Sequence, residues 1–327
     1  MRYTTYLYLV LSIALPTLLL SSLSIGAYKT YTPIEVINVI LGGGSSVDLA
    51  VIELRFWRSI AAIAVGVGLA FSGLVIQRLL GNPMADPYIL GISPGAALGY
   101  LLALLLGLPL PLWYLSAFLG GLLAYAIVLV VAATVGLTSL ALIVVGVALS
   151  YVFYSLSLIL LYLLGPKAGL AMTWLFGSVA YVPRDSSVTL ALVVTLSLAV
   201  VAYYRGALTT LLLGEDVARA LGVNVNLLRV LLTATVALVV SLVTALSGPV
   251  GFIGLTAPWI ARVIVGADFS KLLPATTVIG ATLGLGSDVI VRVVGGGVEL
   301  PLTAITALLG APTLLYLSVR GRDIGRL

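Results

Sequence analysis

The 327-residue sequence contains no cysteine and no histidine. Without cysteine there are no disulfides and no thiol nucleophiles, and without either residue there are no zinc-finger ligands. Imidazole acid–base chemistry is excluded as well. We therefore expect no bound metal or cofactor and no enzyme activity that depends on these side chains.

Charged residues are also scarce. They make up 8% of the chain against about 25% in an average soluble domain, while 61% of the residues are hydrophobic. A surface with so little charge is solvated by lipid. Because one helical crossing takes about 20 residues, we expect an all-α, polytopic membrane protein with roughly ten transmembrane helices in a single domain over residues 1–327.

Apolar runs, interrupted by glycine, proline or charge, predict where the spans lie. They fall near 6–27, 59–80, 94–108, 112–135, 140–164, 187–204, 228–247, 254–266, 272–294 and 302–320. The first run is longer than the core of a signal peptide, which favours an uncleaved span. Residues 248–266 are rich in glycine and proline, and we expect a re-entrant turn leading into a short helix.

The net charge of +5 does not indicate nucleic-acid binding, because the basic residues are scattered at the ends of spans. With ten spans they divide unequally. One side holds Arg2, Arg78, Arg205, Arg219, Arg229, Arg262, Lys271, Arg320, Arg322 and Arg326. The other holds Lys29, Arg55, Arg58, Lys167, Arg184 and Arg292. The positive-inside rule places the richer side, with both termini, in the cytoplasm of a cell-membrane protein.

Small residues recur four apart within several spans, which lets helix backbones approach closely. These rows are Ala62, Gly66 and Ala70, then Ala117 and Gly121, and then Gly280 and Gly284. Packing within one subunit is the simpler interpretation, and a dimer seam is the alternative.

The longest polar stretch predicted on the cytoplasmic side is 205–229. Within it we expect a short helix, with Glu215 and Asp216 in the first turn and a stop at Gly222. Two turns are marginal alone, so the face shared by Val217 and Leu221 needs a partner. The small Ala218 would let a partner approach closely. The segment either docks on a soluble protein or lies against its own membrane domain.

The order of several motifs resembles the FecCD-type permeases. The opening motifs are Glu53-Leu54-Arg55-Phe56-Trp57-Arg58, Asn82-Pro83-Met84-Ala85-Asp86-Pro87, Leu90-Gly91-Ile92-Ser93 and Gly95-Ala96-Ala97. Later ones are Trp174 with Gly177-Ser178, Leu213-Gly214-Glu215-Asp216, Gly248-Pro249 through Pro258, Glu299-Leu300-Pro301 and Gly310-Ala311-Pro312. The chain has Pro258-Trp259-Ile260 where this family usually has Pro-His-Ile. Any role of that histidine is therefore absent.

The resemblance implies the permease of a type II ABC importer for a metal chelate, such as a ferric siderophore, haem or cobalamin. It implies a homodimer, two copies of a separate ABC ATPase subunit and an extracytoplasmic substrate-binding protein. A phosphate-binding Gly-x-x-x-x-Gly-Lys-Ser/Thr loop is absent, so the motor is another polypeptide. The ATPase-coupling residues that the resemblance implies are Leu213, Gly214, Glu215, Asp216, Val217, Ala218, Arg219, Ala220, Leu221 and Gly222.

The same resemblance assigns Arg55, Arg58 and Arg292 to docking of the binding protein through attraction to acidic residues. Snorkelling at the membrane interface is the alternative. Asp288 lies four residues before Arg292, and a local ion pair is favoured over proton transport.

Two turns resemble constrictions at the cytoplasmic end of the path. Thr138 and Ser139 lie in one, and Asn82 and Met84 lie in the other. Plain capping of the next helix is the alternative for Thr138 and Ser139. Near the outer mouth, a short helix around Trp174 is expected to border the path.

Three other functions stay open. A molybdate or tungstate permease would share the architecture. An ion-coupled secondary transporter would use Asp288 and the broken region near Gly248. An intramembrane enzyme would need an acidic pair, and the predicted spans offer little beyond Asp288.

Overall fold

The computed structural model describes the backbone of residues 2–26 and 29–320 and the side chains of residues 13–26 and 29–316. Arg322 and Arg326, and the side chains of Arg2 and Arg320, on which the predicted side of the termini partly rests, lie outside this description. The described residues form fourteen α-helices and no strand, which confirms the all-α class. The helices are α1 Arg2–Ser24, α2 Pro33–Asn38, α3 Ser46–Leu79, α4 Ile92–Leu105, α5 Leu110–Thr134, α6 Ser139–Leu163, α7 Ala168–Leu175, α8 Arg184–Tyr203, α9 Arg205–Thr210, α10 Glu215–Ala220, α11 Val225–Ser247, α12 Ile253–Val265, α13 Phe269–Gly295 and α14 Leu302–Arg320.

Each of the ten predicted spans coincides with one of these helices. Six helices are long and apolar enough to cross a membrane: α3, α5, α6, α8, α11 and α13. The other four have shorter apolar stretches, at Ile13–Ser24, Ile92–Leu105, Ile253–Val265 and Leu302–Tyr316. Length and composition therefore support six crossings among the described residues, and the number ten stays a prediction.

Helix α3 begins at Ser46, 13 positions before the predicted span that starts near residue 59. Ser45 and Asp48 form a capping box before it. The Ser45 hydroxyl accepts from the Asp48 amide at 3.1 Å, and the Asp48 carboxylate accepts from the Ser45 amide at 3.3 Å. The resulting helix of 34 residues is about 50 Å long. The helix is longer than the hydrocarbon layer is thick. Because it begins at Ser46, Arg55 and Arg58 lie inside the helix and not at its start.

Helices α3 and α13 pack with their backbones in contact, as the rows of small residues predict. A methyl group added to Gly66 would overlap the carbonyl oxygen of Gly280, and one on Gly284 would overlap that of Ala62. Since lipid tails are as apolar as the side chains, such close van der Waals packing supplies much of the association between helices. The α3–α13 pair is the centre around which α8, α11 and α12 pack.

The segment 248–252 between α11 and α12 is not helical, and a short helix follows it as predicted. Its polar backbone is satisfied by other parts of the chain. The Tyr88 hydroxyl accepts from the Val250 amide at 3.0 Å, and Thr303 donates to the Pro249 carbonyl at 2.7 Å. Irregular backbone is tolerated at membrane depth only where protein groups replace the missing bonds. The non-helical segment 248–252 is therefore held in place by hydrogen bonds to the rest of the fold.

Candidate functional site

Charged side chains collect at two ends of the helix bundle. Arg58 and Leu79 lie 21 residues apart on α3, which is about 30 Å, close to the thickness of the hydrocarbon layer. Arg58 belongs to one cluster and the Leu79 carbonyl contacts the other. We call these the Arg58 end and the Arg229 end.

At the Arg58 end, one arginine joins two acids from distant parts of the chain. Arg58 donates to Asp288 at 2.8 Å and to both carboxylate oxygens of Glu299 at 2.6 and 3.1 Å. Asp288 is 1% exposed, and the Glu299 side chain is 31% exposed. The bidentate contact with Glu299 fixes the planes of both groups. Arg58 therefore joins α3 and α13 to the segment that precedes α14.

The other two arginines of this end hold the carboxyl end of α1. Arg292 pairs with Asp288 at 2.8 Å and donates to the Ser22 carbonyl at 2.7 Å. Arg55 donates to the carbonyls of Leu23, Ser24 and Lys29 at 2.8, 2.9 and 2.5 Å. Cations at a helix carboxyl terminus complement its dipole and unpaired carbonyls. The predicted pair between Asp288 and Arg292 is confirmed.

The cluster has an excess of positive charge, because three arginines face two carboxylates. Arg55 is 7% exposed, and its hydrogen bonds go to backbone carbonyls. A cavity of about 250 Å³ opens here, and Arg55, Arg58, Arg292 and Glu299 line it. An open cavity with a net positive charge suits an anionic group. The docking role of the three arginines stays a prediction, and each of them also has a structural contact that the sequence did not indicate.

At the Arg229 end, α10 has the start and stop that the sequence predicts. Glu215 and Asp216 occupy its first turn, where the helix dipole favours anions. Gly222 ends it with φ +87°, and the Val223 amide donates back to the Ala218 carbonyl at 3.0 Å. This is a glycine stop of the Schellman type.

The outer face of α10 is apolar and uncovered by the described residues. Leu213, Val217 and Leu221 are 64%, 43% and 65% exposed. Ala218, which lies between Val217 and Leu221 in sequence, is fully buried in the chain. The expectation that Ala218 faces a partner is therefore wrong, whereas Gly222 is exposed. Helix α10 has only six residues and is held against the rest of the chain on the side of Ala218, while apolar side chains next to it stay exposed.

Arg229 is the buried residue that joins α10 to the rest of this end. It is 2% exposed and forms an ion pair with Glu215 of α10. It also donates to the Leu137 carbonyl at 2.8 Å and to the Ser139 hydroxyl at 3.1 Å. Ser139 in turn donates to the Leu79 carbonyl at the end of α3, at 3.1 Å. One guanidinium thus contacts α10 and the α5–α6 turn, and through Ser139 it reaches α3.

The predicted gate residues lie around this network. Thr138 caps α6 by accepting from the Ala141 amide at 3.1 Å, and Ser139 makes the contacts just described. Asn82 accepts from the Met84 amide at 2.9 Å, three residues after Leu79. Met84 is 55% exposed. Helix capping explains the contact of Thr138. Ser139 is the residue that links the α5–α6 turn to the end of α3.

Trp259, in the position where histidine was expected, has its own partner. Its indole nitrogen donates to the Pro83 carbonyl at 2.8 Å. The ring therefore ties α12 to the loop that contains Asn82 and Met84. Indole is a donor only, so this contact does not titrate.

A cavity of about 390 Å³ lies beside α7. Trp174 stacks on Tyr100 with centroids 4.0 Å apart, and Trp113, Tyr114 and Tyr181 also line the space. The lining residues among those described carry no formal charge. The expected short helix around Trp174 is confirmed as α7. Its place on a transport path stays a prediction.

Sequence reasoning missed two members of these clusters. Arg229 was counted only toward topology, and Glu299 only as part of a motif. A signal for Arg229 was its place one turn inside the apolar α11, where an arginine needs a partner. Glu299 had no local signal, because its partner lies 241 residues away.

An all-helical bundle with helices long and apolar enough to cross a membrane, and a charged cluster at each end, defines a helical membrane protein. The model of the FecCD transport family matches residues 13–320, and the chain belongs to this family. It is a transmembrane ABC transporter permease.

Relatives and solved structures agree with this. The chain is 36% identical to the vitamin B12 import system permease protein BtuC of Vibrio cholerae, over 83% of each chain. It is 29% identical to the Fe(3+)-citrate import system permease protein YfmD of Bacillus subtilis, over 93% of this chain and 91% of that one. It also resembles the inward-facing structure of an ABC transporter assigned to the metal-chelate type, with a TM-score of 0.84 and 30% identity over 97% of this chain and 99% of that one.

Proposed function

We propose that this chain is the membrane permease of a binding-protein-dependent ABC importer for a metal chelate, and that a separate ATPase drives it. Two copies of the chain form the channel, two ATPase subunits dock at the Arg229 end, and the binding protein docks at the Arg58 end. The Arg229 end then faces the cytoplasm, with ten crossings and both termini on that side.

The observation that carries the proposal is the exposed apolar face of α10. Leu213, Val217 and Leu221 are 64%, 43% and 65% exposed, and the helix is too short to be stable in water without its anchor at Glu215. An apolar patch of this kind marks a contact with another protein or with the membrane. Docking of a soluble ATPase would bury it.

The Arg58 end supports docking of an acidic partner. The arginines that line the open cavity would attract carboxylates and speed encounter. Arg58 offers the accessible part of this surface, while Arg55 and Arg292 hold α1 and contribute mainly their charge.

The substrate class is supported by the relatives and by the aromatic cavity. The two relatives are named for import of vitamin B12 and of Fe(3+)-citrate. A space of about 390 Å³ with aromatic and hydroxyl lining and no formal charge suits part of a bulky chelate. An ion-coupled site at Asp288 is not favoured, since two arginines already pair with it.

Transport assays test the proposal. The chain is reconstituted in liposomes with the ABC ATPase and binding protein of its own organism, and uptake of radiolabelled ferric siderophore, haem and cobalamin is measured. We expect uptake of one of them to require ATP and both partners. Uptake driven by an ion gradient without ATP would contradict the proposal.

A docking variant tests the face of α10. Replacing both Val217 and Leu221 by Asp should abolish co-purification of the ATPase, because two charges would be buried at the contact. Leu106→Asp is the matched control, since Leu106 is 71% exposed in the α4–α5 turn. Equal ATPase recovery from all three proteins would exclude α10 as the docking element.

A further inference from the structure

We propose that Arg229 is the positioning residue through which α10 sets the conformation of the α5–α6 turn, and thereby the inner gate. This inference rests on the proposed function, because it needs an ATPase that moves α10. The inference goes beyond the proposed function by naming the contact that transmits the movement of α10.

The ion pair between Arg229 and Glu215 makes the two residues move together. Arg229 is almost fully buried, and Glu215 is the one carboxylate that contacts it among the described residues. Removing that carboxylate would leave a buried charge uncompensated, which is strongly unfavourable. Arg219 also pairs with Glu215, but at 3.7 Å and on the surface, where such pairs contribute little. A displacement of α10 is therefore passed to Arg229.

The receiving turn is held in a strained conformation. Leu137 has φ +54° and follows Gly136 with φ +97°. The left-handed region is unfavourable for a leucine. The Leu137 carbonyl accepts from Arg229 at 2.8 Å, so the same guanidinium that follows α10 also stabilises this strained turn. Loss of that bond would let the turn relax.

The contact extends to the second gate turn through Ser139. Arg229 donates to the Ser139 hydroxyl, which donates to the Leu79 carbonyl three residues before Asn82. The three links form one continuous chain of hydrogen bonds from α10 to the start of α6 and the end of α3. Arg229 thus contacts Ser139 of one predicted gate, and the chain ends three residues before Asn82 of the other.

Measurement of uptake per ATP hydrolysed tests the proposal in the reconstituted transporter. Arg229→Gln should retain ATP hydrolysis but lose about tenfold in uptake per ATP, because the ion pair that ties the turn to α10 is lost. Arg229→Lys should recover part of the ratio, since an ammonium group keeps the ion pair but cannot make the forked contact with Leu137 and Ser139. Glu215→Gln should uncouple in the same way.

Arg78→Gln is the matched control. Arg78 lies at the same end and donates to the Ala267 carbonyl at 2.8 Å, and among the described residues no hydrogen bond or ion pair joins it to α10 or the α5–α6 turn. Its uptake per ATP should equal that of the wild type. An equal loss in the control, or an unchanged ratio in Arg229→Gln, would overturn the proposal. If Arg229→Gln yields no assembled complex, the test uses Glu215→Gln, because Glu215 is half-exposed and its substitution perturbs folding less. A wild-type ratio of uptake to ATP hydrolysis in Glu215→Gln would then overturn the proposal. Absence of ATP-driven uptake in the wild type would instead refute the proposed function.

Discussion

At the scale of single residues, local pairs were predictable and distant ones were not. The spacing of Asp288 and Arg292 predicts their ion pair, and Gly222 predicts the end of α10. Arg58 and Asp288 are 230 residues apart, and only the packing of α3 against α13 brings them together. Charge on an apolar helix indicates that a partner exists, and the fold determines which residue it is.

The two acids on Arg58 should differ in their effect on stability. Asp288→Asn leaves two partly buried arginines without their shared, fully buried carboxylate and should cost about 3–5 kcal/mol. Glu299→Gln breaks a partly exposed pair and should cost less than about 1 kcal/mol. Thermal unfolding of the purified variants measures both. Equal losses would show that burial does not set the strength of these pairs.

Asp86 should make stability depend on pH. It lies in the loop between α3 and α4, and burial raises the pKa of its carboxyl from 3.8 to about 6. Between these values the folded protein binds more protons than the unfolded chain, so this group's contribution to stability falls as the pH rises. Asp86→Asn keeps an acceptor for the Tyr88 amide, which donates to Asp86 at 2.9 Å. The variant should lose this part of the pH dependence of thermal unfolding, and parallel curves for both proteins would contradict the assignment.

At the scale of elements, the position of each span was predictable because apolar runs and their interruptions are local. The start of α3 was missed, although the Ser45–Asp48 capping box was visible in the sequence. The exposed and buried faces of α10 were only half predicted. Val217 and Leu221 were correctly expected to share a face, but the burial of Ala218 depends on how α10 lies against the bundle.

Glycine substitutions on α13 should separate contact from helix propensity. A methyl group at Gly280 would overlap Ala70 and the Gly66 carbonyl, whereas one at Gly286 meets only a Leu18 methyl at 4.0 Å. Gly280→Ala should therefore cost about 1–3 kcal/mol by overpacking. Gly286→Ala, on the same helix, should be neutral or stabilising by up to about 1 kcal/mol. Similar unfolding temperatures for the two variants would rule out the close contact.

At the scale of the whole molecule, composition was enough to predict a lipid-embedded helical protein. The relative placement of helices, and hence the two charged clusters, depends on contacts across hundreds of residues. The gates could be proposed from resemblance alone, and the network that joins them could not, because it runs through Arg229 and two backbone carbonyls.

Single cysteines test the membrane topology, since the chain has none of its own. Leu106→Cys and Val135→Cys lie at opposite ends of α5 and are 71% and 63% exposed in the wild-type side chains. In intact cells a membrane-impermeant thiol reagent should label position 106 and leave position 135 unlabelled until the membrane is opened. The reverse pattern would invert the proposed orientation.

The four tryptophans give the molecule intrinsic optical reporters. Three of them, Trp57, Trp113 and Trp174, lie toward the Arg58 end, and Trp174 is in stacking contact with Tyr100. Trp259 is bonded to the Pro83 carbonyl at the Arg229 end. With the other three replaced by phenylalanine, the emission wavelength and lifetime of Trp259 would report any movement of the 82–84 loop in real time, without an attached dye.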